Sequence, residues 1–505
     1  MGRVTAATSQ NCLDTSLDKA GQPICPTTLL WFVTSSFLNQ KLIDRGHKVI
    51  IITHAYKGRT GVRYLTNGLK VYHIPFFVIY RESTMPTVFS FFPLFRNIVI
   101  REQIQIVHGH GSMSSLCHEA ILHARTMGLR TVFTDHSLFG FADAGSILAN
   151  KMLKFTLSDV DHVVCGYSKE NTVLRASLDP LMVSVIPNAV VAENFRPLSH
   201  DLRKGDRTSG EIEPRPPPAP IGPNDTITIV VISRLFYNKG TDLLIAVIPR
   251  ILASHPNVRF IVAGSGPQAI DLEQMLERNV LQDKVELLGS IRHEEVRDVM
   301  VRGHIYLHPS LTEAFGTVIV EAASCGLYVV CTRVGGIPEV LPQHMTTFAK
   351  PEEDDLVLAT EKAIAALRSN KVRTDRFHDQ VKMMYSWTDV AQRTERVYKG
   401  ITGDISPEEF YGYYPGQGWE ANADRVRSFA LIDRLKRYYG CGVWAGKLFC
   451  LCAVIDFLLY VFLEMWFPRS NIDIARSWPK KLGPNGEKSH HLNNRARISQ
   501  ERVAP

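Results

Sequence analysis

At 505 residues the chain exceeds what one ordinary hydrophobic core supports, so two or more domains are expected. Its 45% hydrophobic and 21% charged residues are ordinary globular composition. A net charge of +7 is too mild for a dedicated nucleic-acid surface and fits attraction to anionic lipid head groups, while nine scattered cysteines without a zinc-type CxxC pair fit a reducing compartment rather than a disulfide framework.

The first apolar run, TTLLWFVTSSFL (27–38), is short and follows only Arg3 and Lys19, so it is expected as a core strand or helix rather than a signal peptide. Short β-branched runs bounded by turn residues then recur: KVIIITHA (48–55), IQIVHGHG (104–111), TVFTDHS (131–137), HVVCGYS (162–168) and VSVIPNAV (183–190). Helical stretches separate several of them, the βαβ rhythm of a parallel sheet. Between them, PTVFSFFPLFRNIVI (86–100) is expected as a core helix, with a dip into a membrane surface as the alternative. Residues 198–225 are charged, Pro-rich and aperiodic, and read as an interdomain linker.

The rhythm resumes with TITIVVISRL (226–235), VRFIVAGSG (258–266), KVELLGSI (284–291), HIYLHPS (304–310) and LYVVCTRVGG (327–336). The expected fold is therefore α/β: two Rossmann-like domains, 1–197 and 226–386, face a cleft with ligands at the carboxyl ends of the strands. A helix over 387–402 and a juxtamembrane segment over 403–447 follow. Residues 448–467, LFCLCAVIDFLLYVFLEMWF, are long enough to cross a bilayer as one C-terminal transmembrane helix. Glu464 lies near an end, but Asp456 lies near the middle and requires a partner helix or a tilt; a buried amphipathic helix is the alternative. Four basic residues precede the segment (Arg434, Lys436, Arg437, Lys447) and four follow it (Arg469, Arg476, Lys480, Lys481), which leaves orientation open. Nothing upstream would drive translocation of the first 440 residues, so the body is expected in the cytosol. The tail, 468–505, is polar, and from 478 onward it is expected to be disordered.

Four constellations follow strands of the second half. In SRLFYNKG (233–240), Arg234 and Lys239 are fixed cations of the kind a diphosphate leaving group needs, or else solvated surface charges. In AGSGP (263–267), Gly264 and Gly266 let backbone approach a ligand or make a tight turn. In TEAFGTVIVEAASCG (312–326), Glu313 and Glu321 would not share one helix face, so Glu313 is expected in a loop and Glu321 in the helix that follows; a buried helix with two incidentally satisfied acids is the alternative. Phe315, Gly316, Thr317 and Val318 would then mark a helix N-terminus, which favours an anion. The fourth, TRVGGIPEV (332–340), offers the Gly335–Gly336 amides to a sugar or phosphate, or is a simple strand-to-helix turn. In the first half, His108, His110 and His136 each end a strand and either serve a cleft or are satisfied structural histidines.

TVFTDHSLFGFAD (131–143), SKENTVLRASL (168–178), VSVIPNAV (183–190) and EAASCGLYVVCTRVGGIPEVLP (321–342) add long strings to these constellations. Together they resemble GT-B glycosyltransferases of the large retaining family with a Glu-x7-Glu motif, and within it the branch that starts glycosylphosphatidylinositol (GPI) anchor synthesis on the cytosolic face of the endoplasmic reticulum. The likeness covers roughly residues 41–400 and the late apolar segment. It implies transfer of N-acetylglucosamine from UDP-GlcNAc to phosphatidylinositol with retention of configuration, with no metal and no cofactor beyond the donor substrate. Glu321 would hold the ribose hydroxyls of UDP and Glu313 the donor sugar. Arg234 and Lys239 would bind the pyrophosphate, the backbone from Phe315 to Val318 would help cradle it, and Gly264 and Gly266 would lie on the donor side. His136 would face donor sugar and acceptor, and 387–401 would cross back to the first domain. Implied partners are the UDP-sugar, phosphatidylinositol, the endoplasmic reticulum membrane and the other subunits of the GPI-GlcNAc transferase complex, with no nucleic acid.

Two positions depart from the family pattern. Residues 1–40 contain no Gly-Gly loop, although Leu29–Gln40 can supply a helix or strand, and Ser265 stands where many relatives carry an acid. The missing loop motivates a second reading, in which the chain is structural and non-catalytic within that complex. Another lipid glycosyltransferase, such as a GDP-mannose-dependent mannosyltransferase, is the third; the apolar segment disfavours a soluble glycogen-type synthase.

Overall fold

The computed structural model describes residues 3–8, 37–55, 58–65, 68–76, 78–80, 83–138, 144–167, 169–198, 221–222, 224–412 and 427–475. Most of the expected linker, the last part of the tail and the bulk of the 27–38 run lie outside these residues.

The first domain is built on strands β1 (Arg3–Thr8), β2 (Lys48–His54), β3 (Gly61–Tyr64), β4 (Lys70–Ile74), β7 (Ile106–His110), β8 (Arg130–Asp135), β9 (His162–Cys165) and β10 (Val183–Val185), with a small hairpin of β5 (Val78–Tyr80) and β6 (Ser83–Thr84) beside them. The sheet order is β10-β9-β8-β7-β1-β2-β4-β3, and every pairing is parallel except that of edge strand β3. A second, wholly parallel sheet has the order β13-β12-β11-β14-β15-β16, from β11 (Ile227–Ile232), β12 (Val258–Ala263), β13 (Val285–Gly289), β14 (Ile305–His308), β15 (Tyr328–Thr332) and β16 (Thr346–Ala349). Central strands such as β2, β11 and β15 are buried almost throughout, because helices cover both faces of a parallel sheet and demand continuous apolar runs.

No local feature of the sequence marks strand β1. RVTAAT holds one large aliphatic residue and shows no alternation. Its place comes from two neighbours: Val4 pairs with Val49 on one side and Ile106 on the other. Of the 27–38 run, Phe37 and Leu38 open a helix over 37–44 in which Leu38 and Leu42 are buried. The 86–100 run is a core helix, Phe92–Glu102, with Pro93 in its first turn and Phe91, Phe92, Phe95, Ile98 and Val99 all buried.

Helix Trp387–Thr402 returns to the first sheet. Ser386 caps it. Trp387 stacks on Phe37 at 6.0 Å, Arg393 donates to the Val185 carbonyl at 2.6 Å, and Tyr398 Oη lies 2.7 Å from His108 Nδ1.

Helix Val443–Trp466, 24 residues with mean hydropathy 2.3 over its most apolar stretch, is the one helix among the described residues long and apolar enough to cross a membrane. It begins five residues before the expected segment. The partner that Asp456 requires comes from the first domain's helix Ser115–Thr126: His123 Nδ1 lies 2.6 Å from Asp456 Oδ1, and Thr126 Oγ1 donates to the other oxygen. The His123 ring is stacked on Phe92 at 4.2 Å. Farther along, Arg96 pairs with Glu464 at 3.0 Å. Ahead of the helix, Arg434 of Leu431–Tyr439 is buried against Asp159 at 2.7 Å. The apolar helix is therefore fixed to one domain along its length. Asp456→Ala, which strands His123 in a dry site, is expected to lower stability by about 3 kcal/mol. Asp456→Asn keeps a hydrogen-bond acceptor and is expected to cost less than half as much; thermal melts of the two variants in the same lipid or detergent check both.

Candidate active site

The loops after β11, β12, β14 and β15 are built against one another. After β11, Ser233 N–H donates to the Ala263 carbonyl at 3.1 Å and Leu235 N–H to that of Ser265 at 3.0 Å. A Cβ on Gly264 would overlap the Ser233 carbonyl oxygen, and one on Gly266 that of Leu235. The close approach these two glycines permit is thus between two protein loops. Tyr237–Lys239 then makes one tight turn, ended by Gly240 at φ 72°. A side chain there would collide with the Pro309 carbonyl, so glycine lets the Lys239 loop sit directly on the loop after β14. Leu311 N–H donates to the Asn238 carbonyl at 3.1 Å and closes that contact.

Glu313 lies in that loop and Glu321 in helix Thr317–Ser324, as the spacing predicts. Lys239 Nζ lies 2.5 Å from Glu313 Oε2, and His308 Nε2, at the end of β14, lies 3.6 Å away. Burial would push the Glu313 carboxyl up; His308 and the Lys239 ammonium outweigh it and hold the group at about 2, ionised at any working pH. Glu321 is the opposite case. Its side chain is buried, no hydrogen bond or ion pair reaches it among the described residues, and burial pushes it up to about 8. Two carboxyl groups of one motif thus differ by protonation state near neutral pH.

Gly316, at φ 70°, caps the helix and leaves the first amides of Thr317 and Val318 at a free N-terminus. Phe315 is buried and stacks on Tyr167 of the first domain at 5.5 Å, so its side chain joins the two domains. Arg234 is partly buried, with its guanidinium 5.6 Å from the Phe236 ring centre.

Gly335–Gly336 has a bracing role. Gly336 N–H donates to the Glu313 carbonyl at 3.1 Å, and a Cβ on either glycine would strike the Glu313–Ala314 backbone. Pro338 sits in the short turn that follows. Gly335 is at φ 53°, so Gly335→Ala combines backbone strain with displacement of the Glu313 loop. The variant is expected to keep its fold and lose about 100-fold in kcat/KM, as for a misplacement near 1 Å; steady-state kinetics with a parallel melt checks this.

Across the cleft, His108, His110 and His136 form a ring stack, with centroids 4.3 Å and 5.6 Å apart. Burial pushes all three below the ordinary imidazole range, His110 to about 4, so the column is neutral at pH 7. Both His108 nitrogens are engaged, by Tyr398 at 2.7 Å and Thr134 at 2.6 Å, which makes it a structural histidine. His110 Nδ1 lies 3.3 Å from His136 Nε2. The neighbouring Asp135 is buried and receives Ser112 at 2.7 Å, Thr172 at 3.0 Å and Arg175 at 3.1 Å, which fixes the turn that carries His136. That turn runs on to Leu138, which lies against Gly335, as Tyr167 does against Gly336. His136 and the Glu313 loop therefore belong to one cleft. Sequence reasoning missed His308 and the Ser112–Thr172–Arg175 cradle. His308 ends β14 as His110 ends β7, and that signal was available, whereas His108, expected at a strand end, lies inside β7; the cradle joins residues too far apart to be seen.

Comparison with known proteins gives the family and the fold. Residues 54–143 match the family described as PIGA (GPI anchor biosynthesis), and residues 218–378 match glycosyl transferases group 1. The chain is 62% identical over 440 residues to the phosphatidylinositol N-acetylglucosaminyltransferase gpi3 subunit of Schizosaccharomyces pombe, covering 87% of each chain. It is 53% identical over 454 residues to the GPI3 subunit of that enzyme from Saccharomyces cerevisiae, covering 89% of this chain and 93% of the relative. In fold it is similar to sucrose-phosphate synthase from Thermosynechococcus elongatus, with TM-score 0.61 at 18% identity over 80% of this chain and 100% of the other. Anabaena HepE, solved in complex with UDP, gives TM-score 0.54 at 16% identity over 79% of this chain and 100% of the other. A glycosyltransferase of GT-B fold, the chain belongs to the family of the phosphatidylinositol N-acetylglucosaminyltransferase GPI3 proteins.

Proposed function

We propose that the protein transfers N-acetylglucosamine from UDP-GlcNAc to phosphatidylinositol, the first step of GPI-anchor synthesis, with retention of configuration. The observation that carries this reading is the Lys239–Glu313 pair beside the free helix N-terminus, in a chain 62% identical to a protein named for that reaction. The diphosphate sits against Arg234, Lys239 and the amides of Thr317 and Val318. Glu321 accepts hydrogen bonds from the ribose hydroxyls and Glu313 from the sugar hydroxyls. The inositol oxygen attacks the anomeric carbon on the face from which UDP departs. The bond from that carbon to the phosphate oxygen breaks, and the inositol proton passes to the departing phosphate. Fixed cations stabilise the charge that develops there, so the reading uses no metal. The neutral His136 offers hydrogen bonds to sugar and acceptor without adding charge. The body lies on the cytosolic side of the endoplasmic reticulum membrane and acts with the other subunits of the transferase complex, while Val443–Trp466, docked on the first domain by one face, turns its exposed apolar residues to the bilayer.

Membranes reconstituted with this chain and its partner subunits are expected to form labelled N-acetylglucosaminyl-phosphatidylinositol, with UDP and not GDP competing. No labelled lipid, with the partners shown active alongside a relative of this chain, sinks the proposal. One feature favours the reading as a structural, non-catalytic member of the complex: no Gly-Gly occurs between β1 and the helix over 37–44. Micromolar UDP-GlcNAc binding without turnover in that assay would identify it.

A further inference from the structure

At the β4–β3 edge of the first sheet, a cleft of about 620 Å³ opens between β3–β4, helix Phe92–Glu102 and the chain that follows the apolar helix. Its volume falls within the range of small-molecule sites, about 300–1,000 Å³. Val62, Ile74, Leu94, Ile98, Phe467 and Ile472 give it mostly apolar walls. A dry, open, apolar wall of this size is costly to leave against water.

Two observations say what covers it. The first is continuity with the apolar helix. Trp444, Leu448, Leu451, Ile455, Leu458, Phe462 and Met465 are all exposed and follow one another at steps of four and three residues, so they make one stripe along Val443–Trp466. That stripe ends at Met465; Trp466 and then Phe467, which is a wall of the cleft, follow it and are also exposed. The junction is held in place: Arg96 pairs with Glu464 at 3.0 Å, and Ala475 N–H donates to the Arg101 carbonyl at 2.8 Å. The exposed apolar face of the helix and the cleft therefore adjoin through Met465, Trp466 and Phe467.

The second observation is charge. Arg101 lines the cleft, and Arg59 and Arg63 flank its Thr60–Val62 wall. Both of those arginines act on His73 in the same lining, which burial and their charges together hold below its ordinary range. Asp473 is the acid on the other side of the balance. Arg101 is the guanidinium of the lining, and it favours a phosphodiester at the mouth.

We propose that this cleft is a phospholipid site, taking one acyl chain of an anionic phospholipid whose phosphodiester lies against Arg101. The site requires a bilayer lipid and no sugar donor, so it stands or falls separately from the transfer reaction.

The test uses the full chain with its partner subunits in phosphatidylcholine vesicles doped with a diazirine-acyl probe, either phosphatidylinositol or phosphatidylcholine. After photolysis, peptides from 60–75 and 92–101 are expected to carry label, at least fivefold more from the anionic probe. Leu94 and Arg101 are exposed, so substitutions there leave the core intact. Leu94→Trp, which fills the cleft, is expected to cut the label about fivefold, and Arg101→Gln to abolish the preference for the anionic probe. Label confined to 444–466, label insensitive to Leu94→Trp, or equal labelling by both probes overturns the proposal. So does a zero-length cross-link placing residues 476–505 in the cleft, because the chain's own tail would then be the occupant.

Discussion

Glu321→Gln is expected to weaken donor use about 100-fold and at the same time to stabilise the fold. The stability half follows from burial. The group has an ordinary carboxyl value of 4.5 and is pushed up to about 8 in the folded chain, with no partner among the described residues. Between those two values the folded state binds a proton that the unfolded state has released, so stability falls as pH rises through this window. At pH 8 the shift corresponds to a cost on the order of 4 kcal/mol. Glutamine cannot ionise, so the variant should melt above wild type at pH 7–8, with the gap closing toward pH 4.5. The activity half follows from the proposed ribose contact: hydrogen bonds to a charged acceptor are worth about 1.5–3 kcal/mol each, and the neutral amide gives up much of that. UDP affinity and donor kcat/KM should fall together while the acceptor KM stays unchanged. Hydroxyl donors favour the carboxylate, so UDP binding to wild type near pH 7 should release up to about one proton, and binding to the variant none. Calorimetry in two buffers of different ionisation enthalpy measures this. Unchanged UDP affinity in the variant would remove Glu321 from the ribose site.

Lys239→Met is expected to lower kcat about 1,000-fold, the upper end for removing one group that stabilises a developing oxyanion. The lysine has a second task. It and His308 hold Glu313 at about 2 against burial, so wild-type Glu313 contributes stability above its ordinary value of 4.5, lost only as pH falls through 2. Without the ammonium, burial is opposed by His308 alone, and the Glu313 carboxyl moves up. An acidic limb absent from wild type should then enter the pH profile of kcat/KM. Lys239→Arg keeps the charge with different geometry and should retain more activity and no new limb. Because the two side chains touch at 2.5 Å, Glu313→Gln added to Lys239→Met should cost much less than the sum of the single effects. Additive losses would mean that the pair does not act as a unit.

Much of this was legible in the chain. The alternating apolar runs marked the strands now seen as β2, β7, β8, β9 and β11–β15, because a strand buried on both faces must be apolar over consecutive residues. The eight-residue separation of Glu313 and Glu321 was enough to divide them between a loop and a helix. What the glycines do was not legible: GSG and GG read either as backbone open to a ligand or as plain turns, whereas Gly264, Gly266, Gly335 and Gly336 let four loops lie on one another. A glycine records that something comes close and not what it is. β1 carried no pattern at all, since a short central strand needs only two neighbours to bond.

The sequence by itself determined the α/β class, the strand ends that carry the candidate site, and a segment apolar enough for a membrane, because each is written in the spacing of residues close together in the chain. Only the tertiary structure decided the charges and the attachments. Glu313 is anionic and Glu321 is protonated near neutral pH because one meets Lys239 while burial alone governs the other. The apolar helix is bound to the first domain because His123 and Asp456, 333 positions apart, meet in a dry site. Protonation and pairing depend on what packs around a group, and residues distant in the chain supply those surroundings.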